Sequence, residues 1–129
     1  MTASVSGARV TGGHQPSPKR GRLIAAAVQG PGTFVSAFVS KMGGTAGFTT
    51  VYLTLDGNPV VTANFESLSR FGFDRPNPYG VALLAGDPPS QTVAIGFSAP
   101  LSFERSLELA IDVGEPDVGQ VAWGLVHGS

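Results

Sequence analysis

The chain of 129 residues has no cysteine. Disulfides, thiolate zinc sites and cysteine nucleophiles are therefore excluded, and the redox compartment stays open. Charge is also scarce. Asp, Glu, Lys and Arg make up 13% of the chain, against about 25% in an ordinary globular protein. The formal net charge of −1 argues against a dedicated nucleic-acid binder, which would carry a strongly basic domain. No apolar run approaches the roughly 20 residues that cross a bilayer as a helix, so no membrane partner is expected. The N-terminus lacks the order of charge, apolar stretch and small-residue site that marks a secretory leader, so none is expected either. Histidine is limited to His14 and His127, and no Gly-x-Ser-x-Gly elbow is present to hold a serine nucleophile.

What is abundant is turn chemistry. Eighteen glycines and ten prolines punctuate short alternating segments. Leu23 to Val28 is apolar and closes on Gly30-Pro31-Gly32. Phe34 to Val39 follows, with Phe34, Ser36, Phe38 and Ser40 on one face and Val35, Ala37 and Val39 on the other. Gly43-Gly44 turns the chain into Phe48 to Asp56, where Val51, Leu53 and Leu55 alternate with Thr50, Tyr52 and Thr54. Asp56-Gly57 is the strongest hairpin signal, and Pro59 to Phe65 returns from it.

Glu66 to Phe71 has the spacing of one helical turn, and Gly72 to Pro78 reads as a loop. Tyr79 to Ala85, Gln91 to Ser98, Leu101 to Val113 and a last segment with Val121, Trp123, Leu125 and His127 on one face complete the pattern. About eight strands with turns every 8–12 residues predict an all-β, single antiparallel sandwich or jelly roll.

Residues 1–22 are Ser-, Thr-, Gly- and Pro-rich and end in Pro16-Ser17-Pro18-Lys19-Arg20-Gly21-Arg22. They cannot bury enough apolar area to offset their ordering entropy. The expectation is a flexible basic arm over 1–22, joined to a sandwich over 23–129. Lys19, Arg20 and Arg22 are its candidate assembly contacts. A second candidate contact is the loop bearing Phe71, Phe73, Arg75 and Tyr79, whose aromatics and guanidinium suit a sugar or a protein. The same aromatics also suit plugging one end of the sandwich. Asp112, Glu115 and Asp117 bracket one turn and read as a solvated β-turn in preference to a cation site. His127, on the Trp123 face, reads as structural. No catalytic residue, metal or cofactor is implied.

The order Gln29-Gly30-Pro31-Gly32-Thr33-Phe34-Val35, then Val51 to Pro59 with its Asp56-Gly57 hairpin, then Phe97 to Leu107 with Pro100, Phe103 and Ser106 resembles a jelly-roll family. That family includes enzymes forming or opening difructose dianhydrides. Its enzymes join two jelly rolls in one chain, and this chain has room for one, so no catalytic acid carries over. The resemblance implies a single jelly roll that pairs with copies of itself. Virion capsid and decoration proteins also use jelly rolls, often with an N-terminal arm. The expected function is thus a non-enzymatic structural protein, a homo-oligomeric virion component contacting copies of itself and another shell protein. The alternative is a soluble carbohydrate-binding or furanoside-active jelly roll in the cytoplasm.

Overall fold

The computed structural model describes residues 9–43, 49–65, 68, 81–85, 90–115 and 118–128. Nine strands lie among them: β1 (Arg9–Pro16), β2 (Gly21–Gln29), β3 (Gly32–Gly43), β4 (Thr50–Leu55), β5 (Asn58–Asn64), β6 (Val81–Ala85), β7 (Ser90–Phe103), β8 (Ser106–Val113) and β9 (Val118–Gly128). They form two antiparallel sheets, one ordered β1-β9-β3-β7-β6 and the other β2-β8-β4-β5. The chain is an all-β sandwich.

Alternation builds the core. From the four-stranded sheet, Val51, Leu53 and Leu55 on β4, Val61 and Ala63 on β5, and Leu107, Leu109, Ile111 and Val113 on β8 all turn inward. Val39, Val93, Ile95, Val121 and Leu125 of the five-stranded sheet face them. Leu53, Leu107, Leu109 and Leu125 have no exposed surface. Each such side chain contributes about 1.5–3 kcal/mol by leaving water.

Two bulges override simple alternation. In β3 the register against both β7 and β9 shifts between Phe34 and Ser36. The extra residue rotates Phe34 into the core, where its ring meets Phe97 edge-on at 6.2 Å. Phe38 stays outside. The expectation that Phe34 and Phe38 share a face is thereby corrected. A second bulge at Ile24/Ala26 of β2 turns Ala26 inward and leaves Ile24 exposed.

The stretch expected to be an arm is a strand from Arg9 onward. All eight residues of β1 pair with β9 without a register shift. What holds β1 is backbone pairing, the Thr11 hydroxyl 3.1 Å from the His127 ring, and a close fit at one glycine. Gly13 lies over Trp123, and a Cβ there would come within 2.8 Å of the indole. The sandwich thus includes residues below 23, and Gly21 and Arg22 open β2. The expected helical turn lies mostly outside the described residues, although Phe65 and Leu68 are helical and buried.

Candidate functional site

The two outer faces are chemically unlike. On the four-stranded sheet, Arg22 bonds Glu108 at 2.9 Å and lies 5.2 Å from the Tyr52 ring centroid. Thr50, which pairs with Asp112, accepts a hydrogen bond from Asn64 at 3.1 Å. That face carries Arg22, Glu108 and Asp112, with Ile24 also exposed on it.

The five-stranded sheet presents the opposite. Register places Val10, Gly12, His14 and Pro16 of β1 beside Val126, Gly124, Ala122 and Gln120 of β9. Ser36, Phe38, Ser40 and Met42 of β3 come next, then Gly96, Ala94, Thr92 and Ser90 of β7. None of these sixteen positions holds Asp, Glu, Lys or Arg, and the β6 sequence VALLA adds no charge. Phe38 is 45% exposed, Met42 56% and Val10 78%. The Phe38 ring rests on Gly124, where any Cβ would collide with it. The hydroxyls of Ser40 and Thr92 bond each other at 2.7 Å, which lowers the demand of this face for water. A smooth uncharged sheet of this kind is a surface suited to being covered.

The two ends of the sandwich are locked by different chemistry. At one end, the hairpin residues Asp56 and Gly57 both have positive φ, 53° and 79°, the backbone of a tight turn. The Asp56 carboxylate accepts hydrogen bonds from the backbone N–H groups of Glu104, Arg105 and Ser106 at 2.6–3.2 Å. The Arg105 guanidinium donates to the Asp56 carbonyl at 3.0 Å. These backbone donors, reinforced by the Arg105 charge, hold the Asp56 carboxyl below its ordinary value of 3.8. Gly30 N–H bonds the Arg105 carbonyl at 2.7 Å, so three turns meet here.

At the other end, Lys41 and Glu115 form a fully buried ion pair of 2.8 Å, and Thr49 donates to the same Glu115 oxygen at 2.8 Å. The Lys41 ammonium is 5.1 Å from the Phe65 ring centroid. The reading of Glu115 as part of a solvated turn is corrected: it is 1% exposed and paired. Asp117 lies outside the described residues. Among the described residues no cluster of His, Asp or Glu suits a metal, and every buried side-chain nitrogen or oxygen has a hydrogen-bond partner.

Of the candidate contacts, Lys19 and Arg20 lie exposed in the β1–β2 connection, beside a shallow cleft of about 300 Å³ that also borders Arg22. Arg22 itself belongs to β2 and engages Glu108. Phe71, Phe73, Arg75 and Tyr79 lie outside the described residues. His127 is half-buried, 3.1 Å from the Thr11 hydroxyl, at the rim of a small cleft shared with Arg9, Pro31 and Phe103. Sequence reading missed the Lys41–Glu115 pair and the uncharged face. A signal for the face exists: the segments of β7 and β9 contain no Asp, Glu, Lys or Arg at all. The chain matches no protein-family model and no curated protein sequence.

Proposed function

We propose that this protein is a self-assembling structural module whose uncharged five-stranded face is buried against another copy. The observation that carries the reading is the contrast between that face and the polar four-stranded one. Scarce charge is not spread evenly: it is withdrawn from one side, leaving Phe38 exposed near its centre and Met42 exposed near the end of β3.

The strand order supports a finer reading of the fold as a jelly roll. In that wrapping the first strand pairs with the last, the second with the one before it, and so on inward to a central hairpin. Setting β6 aside as an added edge strand, the pairs β1·β9, β2·β8, β3·β7 and β4·β5 follow this rule. Shells of virions are built from this wrapping, and a virion or comparable shell is the setting we assign by analogy of fold.

Five strands at about 4.8 Å spacing and seven-residue lengths at about 3.3 Å per residue give a face of roughly 550 Å² in projection. Two stacked faces bury about 1,100 Å², near the lower bound of stable interfaces. Phe38→Asp, which sets a carboxylate at the centre, is expected to weaken association at least tenfold, about 1.4 kcal/mol. Light scattering on a sizing column reads this directly. A variant whose mass equals that of an oligomeric wild type would refute the face as the contact.

A further inference from the structure

A sheet edge left open invites another strand, and three of the four edges here are blunted. The edge strand β2 carries the Ile24/Ala26 bulge. The edge strand β5 carries Pro59 and faces a register shift at Leu53/Thr54. The edge strand β6 spans five residues among those described, Val81–Ala85. Bulges, prolines and brevity are the common protections of sheet edges. β1 has none of them in its interior: eight residues in unbroken register, seven of them exposed, and without charge after Arg9.

Among the described residues no strand pairs with the outer edge of β1, and the backbone groups on that edge can be assigned. The Ser17 N–H donates to the Gly119 carbonyl at 2.7 Å, so that position points toward β9. Alternation then turns Thr11, Gly13 and Gln15 toward β9, and Val10, Gly12 and His14 outward. Pro16 falls in the outward set, where its missing N–H costs no bond to β9.

We infer that β1 pairs antiparallel with β1 of a second copy, joining two five-stranded sheets into one continuous sheet. The inference rests on the self-assembly reading and specifies its geometry. A two-fold axis perpendicular to the sheet keeps outward side chains beside outward side chains, so partner positions must sum to an even number. An axis through Gly12 sets Val10 opposite His14 of the copy and Gly12 opposite Gly12, and all three outward residues exchange both backbone bonds. An axis through Gly13 instead sets Val10 opposite Pro16 and loses a bond there. Both registers make six backbone bonds, and the first is taken because each of its paired residues exchanges both bonds. No like charges oppose each other in it. The product is a doubled, coplanar uncharged face, which gives the stacking contact twice the area available to one chain.

The test is the double variant Val10→Lys/His14→Lys, with solution mass and amide exchange as readouts. It sets ammonium groups directly opposite each other across the two-fold axis. Both positions are exposed, and Thr11, Gly13 and Gln15 should stay protected from exchange, showing that β1 still pairs with β9. In the wild-type oligomer the amides of Val10, Gly12 and His14 should be protected. In the variant the residue-12 amide should exchange freely, and the mass at equal concentration should fall by half or more. A wild type that is oligomeric, with a variant of the same mass and exchange pattern, overturns edge pairing and leaves the assembly reading standing. A monomeric wild type overturns both.

Discussion

Asp56 links two turns through backbone donors, and the consequence is a pH dependence of defined sign. A carboxyl whose folded-state value is lowered contributes stability that is present above the ordinary value of 3.8 and lost as pH falls through the folded-state value. Asp56→Ala should therefore be less stable than wild type at neutral pH. The gap should narrow as pH drops below 3.8 and close below the lowered folded-state value, where the wild-type carboxyl is protonated too. Thermal melts from pH 7 to pH 2 follow this gap; a constant difference across that range would contradict the role of the carboxylate. Lys41 and Glu115 allow a sharper test. Removing one partner strands a buried charge and should cost about 3–5 kcal/mol, whereas Lys41→Met/Glu115→Leu should recover most of the loss or exceed wild type. Urea denaturation of both single variants and the double variant gives the coupling; additive losses would mean that the two groups do not act as a pair.

At the scale of elements, much was legible in the sequence, for identifiable reasons. β4 has a strict two-residue period, β8 keeps one at Leu107, Leu109, Ile111 and Val113, and Asp56-Gly57 has a local turn code, so these faces and the hairpin read correctly. The break between β7 and β8 did not. Glu104-Arg105 has neither Gly nor Pro, and its turn is organised by Asp56 from 48 residues away, a contact no local pattern carries. The strand β1 was not legible because it has almost no side chain to bury. Its order comes from pairing with β9, and composition cannot register a partner strand. The buried pair was hidden because Lys41 and Glu115 lie 74 positions apart, each resembling a surface residue. The β3 bulge inverted one face, and stability measurements check it. Phe34→Ala should cost about 3–5 kcal/mol, as for a core aromatic. Phe38→Ala should cost less than about 1 kcal/mol in dilute protein. Equal costs would restore simple alternation.

For the whole molecule, the architecture separates two duties. The core and the two locked ends hold the sandwich together without any disulfide. The polar four-stranded face, with Arg22, Glu108 and Tyr52, suits water, while the five-stranded face and the open β1 edge suit copies of the same chain. Under the proposed assembly, the low charge of the five-stranded face follows from its use. Because association and folding are linked by mass action, the melting temperature should rise with protein concentration for wild type and much less for Phe38→Asp.

The central claim is that the uncharged sheet face is an interface, and the solution mass of wild type beside Phe38→Asp tests it most directly. The account predicts a defined oligomer for wild type and a smaller species for the variant, folded and of the same β content. A wild type that runs as a monomer across the accessible concentration range would contradict it.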